Sequence, residues 1–319
     1  TLLVASDFRP VPLLFNFCSA KGLHPLLNTS GNGLHPNCKI WRAPKGNKRK
    51  ARIGKPLQPD SPKISFVIKE MESRNMLPAI YFIFSRRGCD KAVKNLGSKC
   101  LVNTQEQELI RKRLIAYEKL NPEALRDPLH SDALIRGIAA HHAGVLPAWK
   151  ELIEELFQSG LLKVVFATET LAAGINMPAR STVISSLSKR TENGHRALFA
   201  SEFLQMAGRA GRRGLDSLGY VLTVQNRFEG AREAGTLATS SVEPLVSHFT
   251  PSYGMVLNLL QRHPLKKARE LVNCSFGRYL ASLDLLEEEE SIEELRKELV
   301  YMEGIAGDVS WEDFEDYEK

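Results

Sequence analysis

Val164-Val-Phe-Ala-Thr-Glu-Thr-Leu-Ala-Ala-Gly-Ile-Asn-Met-Pro-Ala179 opens with four apolar residues and then turns polar without a break. A short apolar run that stops at hydroxyl and carboxylate side chains reads as a buried strand running into a polar turn. The same wording recurs at Ala79–Phe84, followed by Ser85-Arg86-Arg87, and at Ile138–His141, followed by His142-Ala143-Gly144. Val183–Ser186 and Tyr220–Val224 supply further buried strands. Helical patterns stand between them at Ile64–Met71, Asp90–Leu96, Thr104–Leu120 and Pro147–Gln158, the last closing near Gly160. In Thr104–Leu120 the residues Leu109, Ile110, Leu114 and Tyr117 are placed to share a face. Alternating strands and helices predict an α/β fold, a parallel sheet with helices on both faces. Right-handed crossovers then put the strand carboxyl ends on one edge, where open α/β sheets bind ligands. The polar residues after Phe84, His141, Ala167 and Ser186 should all emerge there, so that one edge collects every candidate contact.

Downstream stands Gln205-Met-Ala-Gly208-Arg209-Ala-Gly211-Arg212-Arg213-Gly214, with three glycines in its last seven positions and three arginines within five. A guanidinium keeps its charge and presents a rigid fork of donors that matches phosphate geometry. Such a run reads either as a solvated basic turn or as a polyphosphate clamp.

The order and spacing of these runs resemble motifs IV, V and VI of superfamily 2 helicases. His141-His142-Ala143-Gly144 together with Asn176-Met-Pro-Ala179 is similar to the Ski2-like DExH branch, and the wording around Leu77–Asp90 and Phe249–Leu260 is similar to that of a plastid RNA helicase of plants. The resemblance implies a RecA-like domain, with Arg209 and Arg212 facing the γ-phosphate of ATP. It places Gln205 as the coupling glutamine, and Gly174 and Asn176 near the ribose and its adjoining loop. His142, Ala143 and Gly144 match a loop that contacts the RNA backbone. Ser85 and Arg86, after their strand, are placed to donate to a phosphate. Thr168 and Thr170 offer hydroxyls and amides at a helix start, where an anion is stabilised. Arg213 divides between a contact and a solvent role. Glu169 is read either as part of the coupling motif or as an ion-pair partner of Arg209 or Arg212.

A chain of 319 residues with 43% hydrophobic residues can build a generous core, and none of its apolar runs approaches the ~20 residues that span a bilayer. No membrane association is expected. The net charge of +6 hides an asymmetry: residues 284–319 hold 15 acidic and 3 basic residues, leaving a surplus of 18 positive charges elsewhere. Such a surplus suits a polyanion. Five scattered cysteines without a Cys-x-x-Cys pair suggest a reducing compartment, and the resemblance alone implies the chloroplast. The adjacent His141 and His142 invite a metal, but neighbours in a strand point apart and no third ligand is spaced nearby, so no metal site is expected.

Residues 1–60 are expected to be the exit strand of a preceding RecA domain and a basic linker, dense in Lys and Arg over 39–55. The RecA-like domain is assigned to 61–239, and the resemblance implies the start of a winged helix at 240–282. Residues 283–319 read as an acidic solvated helix, the stump of an arch or stalk. The chain starts at Thr1 without an initiator Met or an apolar leader, so it is expected to be a piece of a longer protein.

Neither Gly-x-x-x-x-Gly-Lys-Ser/Thr nor an Asp-Glu-x-His box occurs. ATP and Mg2+ would therefore be held mainly by a missing first RecA domain of the same chain, and this part alone should not turn over ATP. Single-stranded RNA is the expected partner. Phosphate contacts carry no sequence information and do not distinguish RNA from DNA, so the preference for RNA follows from the resemblance. The alternatives are a non-catalytic nucleic-acid-binding or scaffold module and a DNA-directed helicase of the same branch.

Overall fold

Each apolar run does become a strand, and its length is set by where burial ends. The structure, a computed structural model, describes residues 9–31, 33–38, 61–122, 128–174, 176–191, 194–247 and 249–306. It divides into two units, Thr1–Glu243 and Pro244–Lys319.

In the first unit the strands are β1 (Leu13–Ser19), β2 (Gly22–Pro25), β3 (Ala79–Phe82), β4 (Ile138–His141), β5 (Val164–Ala167), β6 (Ser181–Ile184), β7 (Ser188–Thr191), β8 (Gly194–Ala197) and β9 (Gly219–Val224). Seven of them form one sheet in the order β2-β1-β9-β6-β3-β5-β4, parallel throughout except for the antiparallel edge strand β2. Strands β7 and β8 pair separately as a hairpin. The four residues of β3, β4, β5 and β6 are all buried, as parallel strands covered on both faces must be.

The helices are α1 (Ile64–Ser73), α2 (Arg86–Asn95), α3 (Thr104–Leu120), α4 (Pro128–Ile135), α5 (Pro147–Gln158), α6 (Thr170–Gly174), α7 (Ala200–Ala207) and α8 (Ala231–Thr239). Two apolar layers flank the sheet, one containing Phe82, Trp149 and Phe203, the other Tyr81, Met71 and Phe166. Neighbouring β3 residues thus serve opposite faces, as the period of two requires.

Several boundaries move, each for a local reason. Helix α2 starts at Arg86 rather than Asp90, because the Ser85 hydroxyl accepts from the Gly88 amide at 3.2 Å and caps it. Strand β6 starts at Ser181 rather than Val183: Ser181 and Thr182 are buried polar residues that an apolar pattern skips. On α3 the inward face is Ile110 and Leu114, while Leu109, one residue out of phase, stays 51% exposed.

Residues 1–60 need the largest correction. Leu13–Ser19 pairs in parallel with β9 over six residues, so β1 and β2 are integral to the sheet rather than a linker beside it. Asn16, Phe17 and Cys18 are buried in succession, with Phe17 in one apolar layer and Cys18 in the other, as in a strand covered on both faces. The basic run 39–55 lies outside the described residues.

The second unit contains α9 (Tyr253–Arg262), α10 (Leu265–Asn273) and α11 (Phe276–Ala306). Helix α9 starts where the Ser252 hydroxyl accepts from the Met255 amide, and on α11 Glu293, Leu295, Glu298 and Leu299 are exposed. The aromatic residues Trp311, Phe314 and Tyr317 lie outside the described residues.

Candidate nucleotide and nucleic-acid interface

Along the carboxyl-terminal edge of the sheet the loops follow the strand order. Those after β6, β3, β5 and β4 carry Ser185 and Ser186, then Ser85 and Arg86, then Thr168 and Thr170, then His142 to Gly144. The Thr168 and Thr170 hydroxyls lie 3.0 Å apart at the start of α6. The Gly144 amide donates to Nδ1 of His142 at 3.1 Å, so the ring proton sits on Nε2 and is donated to Asp90 at 2.9 Å. Asp90 lies one turn into α2, and a side chain at Gly144 would stand 3.6 Å from Cδ of Arg86. The loops after β3 and β4 are thereby locked together. His141 turns the other way: its Nε2 meets Glu154 of α5 at 2.8 Å, and burial lowers its pKa against the pull of that carboxylate. The two histidines do point apart. Among the described residues no three His, Cys, Asp or Glu side chains come together as a metal site would need.

The arginine loop corrects the expectation of a single edge. Residues 209–211 run beside Ala179, whose amide donates to the Arg209 carbonyl at 2.9 Å and whose carbonyl accepts from Gly211 at 2.8 Å. Ala179 precedes β6, so the loop sits at the amino-terminal ends of β6 and β9, opposite the edge that carries Ser85 and Thr168. Gly211 takes φ +85°, and a side chain there would strike Val11 at 2.6 Å, so glycine alone closes this turn. Asn176 lies nearby in the chain, exposed, its carbonyl 3.4 Å from the Gln158 amide nitrogen.

Within the loop the two arginines have different holders. Arg209 donates through Nε to the Ala172 carbonyl at 2.9 Å, which brings it onto α6 two residues before Gly174. Arg212 makes a two-point pair with Asp216, Nε at 2.8 Å and Nη2 at 3.0 Å. Arg180 also donates to Asp216 at 2.8 Å, and the carboxylate is only 1% exposed. Burial raises the pKa of Asp216, but the side chain and amide of Arg212 and the Arg180 guanidinium outweigh it and hold the carboxyl well below its ordinary range. Arg213 and Gln205 are exposed.

A second network crosses from the β5 loop to α7. Lys189 on β7 is 14% exposed and meets Glu169 at 2.5 Å and Glu202 at 2.8 Å. Arg196 on β8 joins Glu202 at 2.7 Å and lies over the Phe199 ring. Glu169 is thus ion-paired, to Lys189 of the hairpin. The Arg196 bond, opposed by burial and aided by Lys189 and the Phe199 amide, holds Glu202 down at about 2.

Other side chains that shape the site escaped the sequence reading. Arg9 donates to the carbonyls of Ala210 at 2.8 Å and Gly208 at 3.3 Å, bracing the arginine loop from 199 or more residues away. Glu243 accepts from the amides of Ala200 and Ser201 at 2.7 and 2.9 Å and so caps the helix that leads into the loop. No local pattern marks such residues. Only Asp216, four positions past Arg212, had a spacing that could have suggested a partner.

The sheet order and the arginine loop together define a RecA-like helicase domain of the second kind. Residues 63–214 match the helicase conserved C-terminal domain. The chain is 42% identical over 88% of its length to the DExH-box ATP-dependent RNA helicase DExH15, chloroplastic, of Arabidopsis thaliana, covering 29% of that protein. It is 38% identical over 74% of its length to the antiviral helicase SKI2 of Saccharomyces cerevisiae, covering 19% of it, and 33% identical over 92% to the ATP-dependent RNA helicase mtr4 of Schizosaccharomyces pombe, covering 28%. The chain belongs to the Ski2-like branch of the superfamily 2 helicases, and it spans less than a third of the length of these relatives. Among the described residues no helix is long and apolar enough to cross a membrane.

Proposed function

We propose that this chain is the carboxyl-terminal RecA half of an ATP-dependent RNA helicase. Arg209 and Arg212 compensate charge on ATP held by a first RecA domain, and Ser85, Arg86, the 142–144 loop, Thr168 and Thr170 grip single-stranded RNA. The observation that carries this reading is the separation of the two sets: hydroxyls and a histidine loop at one end of the sheet, guanidiniums at the other, joined through α6. A polymer and a nucleotide can then occupy the domain at once.

The residues at the arginine loop fit an anionic group. One buried carboxylate, Asp216, serves two guanidiniums, Arg180 and Arg212, which leaves a surplus positive charge beside Arg209. Bound ATP and Mg2+ supply the phosphoanhydride and part of its charge neutralisation. This chain contributes positioned cations from Arg209 and Arg212, and Gln205, Gly174 and Asn176 orient the nucleotide from the same side. At the other edge, amides and hydroxyls hold phosphates without reading bases. Helix α6 starts at Thr170 and ends near the Arg209 contact at Ala172, so a shift imposed by RNA on Thr168 and Thr170 reaches the arginine through one turn of helix. Likeness to DExH15 supports residence in the chloroplast.

The test is ATP hydrolysis by the full-length protein with and without single-stranded RNA. RNA should stimulate steady-state turnover, and residues 1–319 alone should show none. Unstimulated turnover, or turnover by residues 1–319 alone, would overturn the reading.

A further inference from the structure

The carboxyl-terminal edge extends past Ser85 in the direction opposite to the 142–144 loop, and there it opens into a cleft of about 1010 Å³. That volume is at the upper end of the ~300–1,000 Å³ found for sites that enclose a drug-sized ligand. The cleft is bounded by the ends of β3 and β6, by the hairpin with Arg190 and His195, and by Arg227 and Phe228 after β9. Its lining includes lysine, arginine and histidine but no carboxylate. Among the described residues neither Arg190 nor Arg227 has an ion-pair partner, unlike Lys189 beside them.

Phe228 is the side chain that the proposed function leaves unexplained. It is 88% exposed, and exposure of a whole phenyl ring forfeits the burial that ordinarily stabilises it. Nor is the ring on a slack loop. Asn226 Oδ1 accepts from the amides of Phe228 and Glu229, both at 2.8 Å. Glu229 in turn accepts from Asn226 Nδ2 at 2.5 Å, the Leu187 amide at 2.6 Å and the Ser186 hydroxyl at 3.1 Å. The turn is thus pinned to the β6 loop by Glu229, whose charge is spent on these donors. What remains along the cleft is an exposed aromatic ring carried on a pinned turn, with Arg190 and Arg227 in the same lining. An aromatic face flanked by cations is the chemistry that holds an unpaired nucleobase and its neighbouring phosphates.

We propose that a base of single-stranded RNA stacks on Phe228 in this cleft while Arg190 and Arg227 hold the flanking phosphates, so that the bound strand continues from Ser85 toward β9. The inference rests on the RNA-gripping reading of the carboxyl-terminal edge but adds a contact of a different kind. Phosphate contacts grip every residue of the strand alike, whereas a stacked base registers the strand in single-nucleotide steps.

The full-length protein should be titrated with a fluorescent single-stranded oligouridylate at several salt concentrations, as wild type, Phe228→Ala, Phe228→Trp, Arg190→Ala and Arg227→Ala. Because Phe228 and Arg227 are exposed, these changes should leave the circular dichroism spectrum unaltered. Phe228→Ala should weaken binding about 10-fold or more without changing the slope of log affinity against log salt. Each arginine substitution should instead reduce that slope by about 1. In Phe228→Trp affinity should persist, with the new indole quenched by RNA. Wild-type affinity in Phe228→Ala, or an indole in Phe228→Trp that ATP quenches and RNA does not, would overturn the proposal while leaving the RNA grip at Ser85 intact. A wild-type protein that binds no oligouridylate would remove both readings.

Discussion

At the amino-terminal ends of β6 and β9 the loop 208–214 is tied by contacts from far along the chain, whereas at the carboxyl-terminal ends most loops tie themselves. Arg9 reaches Ala210 across 201 positions and Arg180 reaches Asp216 across 36. On the other edge Ser85 bonds Gly88, His142 bonds Gly144, Thr168 meets Thr170 and Asn226 bonds Phe228, each within three positions. The Asp90–His142 bond and the Glu229 bonds to the β6 loop are exceptions. A loop held by distant partners exists only in the folded domain and keeps one shape. Loops closed by their own turns leave their outer hydroxyls and amides for something else. The difference fits the proposed division of labour, in which transition-state charge is met by pre-positioned donors while a strand passing through is released and regripped.

The sharpest way to break this comparison is to remove a guanidinium from the rigid end. In the full-length protein Arg209→Ala should lower RNA-stimulated ATP hydrolysis by roughly 10³-fold or more, with nucleotide-free RNA affinity nearly unchanged. The reciprocal pattern, near-normal turnover with weakened RNA binding, would mean that the two ends have been assigned the wrong way round.

Next in size is the loop's internal brace. Asp216→Asn leaves Arg212 and Arg180 without the carboxylate they share, and breaking a buried pair in this way costs about 3 kcal/mol. Thr168→Ala, on the self-closing edge, should stay within about 0.5 kcal/mol. Equilibrium denaturation of the two variants reads the contrast directly. Equal losses would show that the ends are held by the same kind of interaction after all.

That contrast also governs how much could be read without coordinates. The apolar runs of β3, β4 and β5 and the helix ends at Thr104 and near Gly160 are local, and their reading places them to within a few residues. β1 was misassigned because Leu13–Ser19 looks the same whether it leaves one domain or joins the next, and only its register against β9 decides. The edge that gathers Ser85, His142 and Thr168 follows from strand direction alone. The arginine loop falls outside that edge because it leads into β9, and a parallel strand enters the sheet from the end opposite to the one where Ser85 and Thr168 emerge. Arg9, Arg180 and Glu243 act only through tertiary contact and left no trace in spacing.

A smaller effect than that of Asp216→Asn belongs to the network that spans the two ends. Glu202 sits in the first turn of α7, is joined to Lys189 and Arg196 of the hairpin, and is held at about 2 against an ordinary 4.5. Its folded-state pKa is depressed, so the stabilisation is fully present above about pH 4.5 and is lost as pH falls through about 2. With the carboxylate 22% exposed, solvent screening leaves about 1–3 kcal/mol of that stabilisation. Glu202→Gln should therefore lower the denaturation midpoint at pH 7 and converge with the wild type as the pH is taken from 4.5 toward 2. Lys189 would keep Glu169, and the hairpin would stay attached to the β5 loop while losing its hold on α7. Curves for the two proteins that run parallel across this window would place the acid-labile tie elsewhere and leave the rigid end joined to the open one by α6 alone.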